Sequence, residues 1–427
     1  MTTKSHRTSF YRWLVFGLLA CGYILVYFHR LSTNVVALDM MKDLQVGGAL
    51  IGVLASAYFY PYALMQLPAG LLADSLGPRR TVTFSFILAG LASIFLGMVT
   101  SVGWAILARL LVGIGVSMLF VATLKILTQW FKVSEFAKVA GILMALGGVG
   151  VLTTATPLAY LSNSLGWRGS FVAIGIATLI LAAVIWIYVR NSPAEKGLPT
   201  PEEREPSTHG QGGQPGLIDG LKTVLSARPF WPLAAWFFFS CGVFFAFAGL
   251  WGAPYLMQVY GLTKVQAGGI MDMLALAMIV GSPLLSILSD RLRSRKIILV
   301  AAALILVLVT LPLAFIPAGL TKPMLYLLVF FMSLSASSVV AIGFTMTKEL
   351  FPVGMAGTAV GLVNLFPFLG GALMQPAVGY LLESQSSGLQ TYSAAAYGFA
   401  FRLFFASACL AFLASLLLKE SFPQHSR

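Results

Sequence analysis

Ionisable side chains are scarce in the apolar parts of this sequence, and the few found there are the ones to read for chemistry. They are His29, Arg30, Arg109, Lys125, Asp272 and Arg402. Each costs about 2.5–3.5 kcal/mol to place at lipid depth on insertion scales, so each is a functional candidate by default. Arg30 shares one helical face with Tyr23, Tyr27 and Asn34, at spacings of four, three and four residues. Tyr58 and Tyr62 in the second apolar run and Asn364 in the eleventh add to this polar and aromatic set. An arginine fork matches a carboxylate or phosphate through two parallel hydrogen bonds. The other reading of Arg30 is a side chain near its helix end, snorkelling to the interface. His29 is of the type that titrates near neutral pH, and it suits either proton coupling or a hydrogen-bonded place between helices. Asp272 is the one carboxylate well inside an apolar run; it suits protonation during a working cycle, or fixed pairing with a base such as Arg402. Lys125 is a second anion contact or a snorkelling base, and Arg109 a structural bond to a neighbouring backbone or a coupling group. The set is basic on balance, which attracts anions and repels cations.

Several chemistries find no support. There is no His-Glu-x-x-His, no acid pair, no nucleophile elbow, and no Gly-x-x-x-x-Gly-Lys-Ser/Thr loop to cradle phosphates. Neither an enzyme nor an ATP-driven pump is expected, and no catalytic residue, metal ligand or cofactor. Cys21, Cys241 and Cys409 lie inside apolar runs and form no disulfide framework.

What must position these residues is a series of membrane spans. Of the 427 residues, 58% are hydrophobic and 10% charged, and a span needs ~20 apolar residues. The runs are Trp13 to Ala37, Leu50 to Leu72, Thr81 to Thr100, Gly103 to Ile126, Ala137 to Ser162 and Trp167 to Val189. After a break come Phe230 to Gln258, Val265 to Leu288, Ile297 to Pro317, Pro323 to Met346, Met355 to Leu382 and Ala396 to Leu418. None alternates as a barrel strand would, so a helical bundle is expected. The first run follows Lys4, Arg7 and Arg12 but is too long for a signal peptide. Only Lys42, Arg168, Lys264 and Lys322 fall in the loops of one side; the other Lys and Arg outside spans lie opposite. That bias predicts both termini in the cytoplasm. It also accounts for the net charge of +13 without a nucleic acid partner.

Asn191 to Pro229, rich in Pro, Gly, Glu and Gln, reads as a mobile linker between halves 1–190 and 230–427. The halves echo one another. Phe10, Cys21 and Gly22 match Phe230, Cys241 and Gly242; Phe131, Val133, Gly141 and Gly150 match Phe351, Val353, Gly361 and Gly370.

Between spans two and three stands Gly70-x-x-x-Asp74-x-x-Gly77-x-Arg79, echoed by Ser286-x-x-x-Asp290-x-x-Arg293-x-Arg295. The first loop resembles the signature of the major facilitator superfamily of secondary transporters. Arg109-Leu-Leu-Val-Gly113-Ile-Gly115 is similar to a further element of that family. The resemblance covers nearly the whole chain. It implies an all-α membrane protein of twelve transmembrane helices, in two pseudo-symmetric six-helix bundles that close alternately around a midplane site. It also implies a conformational latch at Gly70, Asp74, Gly77 and Arg79, with Asp290 and Arg293 in the second copy. In organic-anion and organophosphate members an arginine at a similar place in span one contacts the substrate's charged group, and Arg30 matches it. Many organic-anion symporters carry Asp before that arginine, where this chain has His29.

The expectation is a secondary transporter of a small organic anion, a carboxylate, working by alternating access with proton coupling or exchange. Arg30, Tyr23, Tyr27, Asn34, Tyr58, Tyr62, Lys125 and Asn364 are the substrate candidates. His29, Asp272 and Arg109 are the coupling candidates. The setting is a bacterial-type inner membrane, with lipid, the substrate and a proton or counter-substrate as partners of a monomer. Two rivals stay open: an exporter of hydrophobic or cationic compounds, which the phenylalanines of span seven suit, and a nitrate-type transporter.

Overall fold

The computed structural model describes residues 3–200, 217–352, 355–386 and 390–422, excluding the side chains at 3–8, 67, 70, 71, 74, 133, 137, 217 and 218. Among the described residues there is no strand. Among the described residues eleven helices are long and apolar enough to cross a membrane, and the shorter apolar stretch Gly48–Leu64 brings the traverses to twelve.

Span one is Thr3–Leu31, prolonged by Thr33–Leu44. Span three is Pro78–Met98, and span four Val102–Ser117 with Leu119–Trp130. Span five begins as Val133–Thr153. The element Thr156–Tyr188 then completes span five and supplies span six, because Gly166 (φ 70°, ψ 170°) turns the chain inside it. A positive φ is open to glycine at little cost, so the turn needs no loop. Span eight is Lys264–Leu292, span nine Lys296–Phe315 and span twelve Ala394–Leu416.

Spans two, eleven and seven are interrupted where proline removes a rung of the helix ladder, and span ten without one. Span two is three pieces, Gly48–Ser56, Phe59–Leu64 and Gln66–Ser75. Pro61 and Pro68 lack the N–H groups that would bond the carbonyls of Ala57 and Leu64, and the breaks fall beside those residues. Span eleven, Ala356–Val363 and Leu365–Ser384, breaks at Asn364, three residues before Pro367. Span seven runs Phe230–Ala246, widens to a π-helical turn at Phe247–Trp251, and resumes as Gly252–Tyr260. Pro254 leaves the carbonyl of Leu250 without its helical partner. Span ten carries a similar π turn, Val339–Gly343, between Lys322–Ser338 and Phe344–Leu350.

Within the first half span three packs along span six; within the second, span nine packs along twelve, and seven along eleven. The halves meet through span two against eleven and span five against eight. The stretch expected as a mobile linker is partly ordered. Leu217–Ser226 is a helix packed on the start of span eleven, and 201–216 lie outside the described residues.

Contact between the halves is concentrated at the end away from the termini. Gly48 and Gly52 of span two lie directly on Gly379 and Pro376 of span eleven; a Cβ on Gly379 would stand 2.0 Å from the carbonyl oxygen of Gly48. The N–H of Gly48 donates to Tyr392 Oη (2.8 Å), and that of Ala49 to Glu383 (3.1 Å). Lys264 pairs with Asp39 at 2.5 Å. At the terminal end the bonds stay within each half. Arg12 pairs with Glu135 (2.9 Å), and Arg295 with Asp290 (2.7 Å) and Glu349 (3.3 Å). No extended packing joins Leu119–Trp130 of span four to Phe344–Leu350 of span ten.

Candidate functional site

Arg30 ends the main helix of span one, where a face of tyrosines turns toward the second half. Its side chain is only 6% exposed. Four rings surround the guanidinium: Tyr27 at 4.7 Å, Tyr62 at 4.8 Å, Phe368 at 5.2 Å and Phe245 at 6.0 Å from carbon to ring centroid. The tyrosines come from spans one and two, the phenylalanines from spans seven and eleven, so both halves build the cage. The rings also hold one another, with Tyr62 and Phe368 centroids 4.4 Å apart and Phe245 stacked on Phe368 at 5.8 Å. Tyr58, fully buried, stacks on Tyr62 at 5.6 Å, and Tyr23 lies edge-on to Tyr27 at 5.3 Å. Arg30 makes no ion pair among the described residues. Ring faces offset part of the cost of burying a cation, about 0.5–2 kcal/mol each; a carboxylate in bidentate contact would offset far more. The chemistry of the cage therefore suits an anion.

The other expected site residues are placed differently from Arg30. Asn34, expected beside the substrate, instead reaches across to span seven. Its Nδ2 donates to the carbonyls of Ala248 (2.6 Å) and Phe247 (3.4 Å), and its Oδ1 accepts from the N–H of Ala253 (2.7 Å). The Gly252 N–H closes the π turn on the Phe247 carbonyl, and Asn34 adds its bonds to the turn from the opposite half. Asn364 donates to Gln66 Oε1 at 3.0 Å, bridging the breaks of spans eleven and two. Lys125 is half-buried on span four.

His29 points away from the cage. Its Nε2 lies 3.2 Å from Thr178 Oγ1 of span six, and its carbonyl accepts from Arg109 Nη1 at 2.8 Å. Arg109, buried on span four, also lies over the ring of Tyr58 at 5.2 Å, so it braces the span that carries Arg30. Asp272 is half-buried on span eight and pairs not with Arg402 but with the break in span five. Thr156 donates to it through Oγ1 (2.5 Å) and through its N–H (3.4 Å). The carboxylate of one half thus caps a helix start in the other, where the dipole favours negative charge. Arg402 is exposed beside Phe315 and Phe399, each at 5.8 Å.

The sequence profile of the Major Facilitator Superfamily matches residues 19–375, taking in Arg30, the breaks and the paired loops. The chain belongs to the major facilitator superfamily. It is 24% identical to a probable sulfoacetate transporter of Cupriavidus necator over 391 residues, 88% of each chain. It is 25% identical to a probable galactarate/D-glucarate transporter of Bacillus subtilis over 409 residues, 91% of this chain and 89% of that one. Against a D-galactonate transporter of Escherichia coli the identity is 24%, over 93% and 92% of the two chains. A solved structure of a bacterial homolog of the human lysosomal transporter Spinster, inward-facing and unoccupied, superposes with a TM-score of 0.74. It is 19% identical and covers 96% of this chain and 98% of that one.

In this superfamily chain the signature loop makes contacts inside its own half. Gly77 has φ 84° and precedes span three. The N–H of Arg79 donates to Asn191 Oδ1 (2.8 Å); its guanidinium lies 4.4 Å over the Trp186 ring and donates to the Trp186 carbonyl. The side chains of Gly70 and Asp74 lie outside the described residues. In the second copy Asp290 accepts from Arg295, and Arg293 closes span eight in the left-handed region (φ 50°). The C-terminal segment joins this copy. Glu420 accepts from the N–H of Arg295 (2.9 Å) and from Ser294 Oγ. Burial works against its charge, but the bonds from Ser294, Arg295, Phe422 and Ser421 prevail and hold the carboxyl below its ordinary range.

Three features escaped the sequence reading. Phe245 sits in a run of phenylalanines that suits lipid equally well, so nothing singled it out. Asp39 and Asp43, four residues apart, were legible as one face of a prolonged span one; they hold Lys264 and Arg168. The π turn that Asn34 serves has no signal beyond Pro254.

Proposed function

We propose that the chain is a secondary active transporter that moves a small organic anion, a carboxylate, by alternating access. Arg30 is the substrate anchor. The observation that carries this reading is a buried guanidinium, without a carboxylate partner among the described residues, where side chains of both halves converge. The organic-anion names of relatives that align along most of the chain support it. A cationic cargo would meet Arg30 at the centre of the site, which argues against the exporter reading.

Alternating access is supported by the asymmetry of contact: tight packing at one end, and self-contained bonds at the other. With the termini cytoplasmic in a bacterial-type inner membrane, as the Lys and Arg bias favours, the closed end faces outward. Coupling to protons or exchange is assigned to Asp272 rather than His29. A carboxylate that caps a helix of the opposite half gives up that bond when the halves part, and can take a proton then.

The test is thermal unfolding of the purified protein with carboxylates, phosphate esters, nitrate and lipophilic cations, beside Arg30→Gln. A ligand that binds only the folded state raises the midpoint with its occupancy. Stabilisation by a carboxylate class, lost in Arg30→Gln, is the expected result. Stabilisation by lipophilic cations alone, unchanged in the variant, would overturn the anion reading.

A further inference from the structure

Spans two and eleven run antiparallel, and their contacts form one seam from the closed end to the level of Arg30. Gly48 lies on Gly379 and Gly52 on Pro376. Further along, Tyr60 Oη donates to the carbonyl of Ala372 (3.1 Å), and the ring of Tyr62 meets that of Phe368 at 4.4 Å. The next rung, one turn on along each helix, is an amide pair: Asn364 Nδ2 donates to Gln66 Oε1 at 3.0 Å. There the seam ends. Gln66–Ser75 packs on spans three and four of its own half, and Ala356–Val363 on span ten and the helix Leu217–Ser226 of the other. No extended packing joins these two pieces. Tyr62 and Phe368, walls of the cage, are buried, whereas Gln66 and Asn364 are half-buried. The amide pair therefore stands between the sealed guanidinium and the parted, terminal end of the molecule. Both helices also break at this rung, at Met65 and at Asn364 itself. Pro68 and Pro367 lack the N–H groups that would bond the carbonyls of Leu64 and Val363.

We propose that Gln66 and Asn364 are the inner gate of the site. Their hydrogen bond closes the floor of the cage, and the pieces Gln66–Ser75 and Ala356–Val363 swing on the breaks at Met65 and Asn364 to open it. A helix bends most readily where a ladder bond is missing, and hinges are commonly a few residues at element ends. The seam beyond the breaks stays shut during that swing, because the glycine contacts and the Tyr60 bond lie on its far side. The floor thus opens without rocking of the whole halves. An amide pair suits this place. It carries no charge, so it does not compete with cargo for Arg30 as a carboxylate would. That the gate passes an anion rests on the reading above; its motion stands on the seam and the breaks alone.

The experiment measures distances between spin labels on the purified full chain in lipid nanodiscs, by pulsed electron resonance and without ligand. Cys21, Cys241 and Cys409 are changed to alanine so that only introduced cysteines carry labels. The inner pair is Ser75→Cys with Gly357→Cys, exposed positions on the two swinging pieces; the outer pair is Lys42→Cys with Ser384→Cys. Gln66→Leu or Asn364→Leu should raise the population at the longer inner distance about two- to tenfold, the worth of one hydrogen bond. The double variant should add nothing to either single one. Gln66→Asn with Asn364→Gln keeps an amide pair of the same reach and should match wild type. The outer distance should hold throughout. An unchanged inner distance in both leucine variants overturns the gate. An inner change accompanied by an outer one overturns the hinges and assigns the motion to whole halves. Hydrogen exchange of the wild type needs no substitution. The amides of Gln66–Ser75 and Ala356–Val363 should exchange ahead of Phe59–Leu64 and Leu365–Ser384, and equal protection across the breaks overturns the hinges. Arg30 enters none of these readouts, so their failure leaves the anion reading standing, and loss of the anion reading leaves the gate.

Discussion

At the scale of single residues, placement separates side chains that the sequence grouped together. Tyr23, Tyr27, Arg30 and Asn34 share one face, as their spacing requires, yet only three stay near the cage. Asn34 lies beyond the break at Ser32 and bonds the backbone of a π turn. Spacing shows which face a residue occupies, but not which defect the neighbouring helix offers. The same holds for Asp272, whose partner exists only because span five breaks at Thr154 and Ala155. Arg30 was legible because a buried charge in an apolar run has few bland explanations, whereas Phe245 had too many. Asn34→Ala removes three bonds across the halves, each worth about 0.5–1.5 kcal/mol. The expected outcome is a larger population with the far end parted, read as a longer distance between spin labels at Lys42 and Ser384. An unchanged distance distribution would remove Asn34 from the closing contact.

At the scale of elements, the twelve runs were legible from length and hydropathy, because lipid permits few other arrangements of backbone. Their interruptions were less so. Proline says where a rung is missing, but whether the chain breaks, kinks or widens into a π turn depends on what packs alongside. Spans two and eleven approach until backbone touches backbone, which demands glycine at Gly48 and Gly379. Gly379→Ala would put a methyl group inside the van der Waals radius of the Gly48 carbonyl. That substitution should prevent closure and lower transport at least tenfold in a liposome flux assay, while Gly17→Ala, where a Cβ meets nothing within 4 Å, should leave it intact. Equal rates in the two variants would mean that the glycine contact is not needed in the cycle.

At the scale of the whole molecule, the halves are joined at one end by glycine backbone contacts, the bonds from Gly48 and Ala49 to Tyr392 and Glu383, the Asn34 and Asp272 caps, and the Asp39–Lys264 pair. The pair is the weakest. Asp39 is 38% exposed and Lys264 13%, a setting in which ion pairs contribute ~0.2–1 kcal/mol. Reversing one charge, as Lys264→Asp, should shift the open-to-closed ratio by a few-fold toward open. Restoring the opposite order with Asp39→Lys should return it, with label distances as the measure. A double variant no better than the single would show that the two side chains do not act together.

The isolation of Arg30 from any described carboxylate has an electrical consequence. A singly charged cargo held at Arg30 and a proton taken at Asp272 cancel, so on the proposed cycle the core carries the same net charge loaded and empty, and an exchange of like anions is balanced in the same way. A membrane potential, worth about 2.3 kcal/mol per unbalanced charge for each 100 mV, would then neither drive nor oppose the crossing, and the chemical gradients alone would set how far the cargo accumulates.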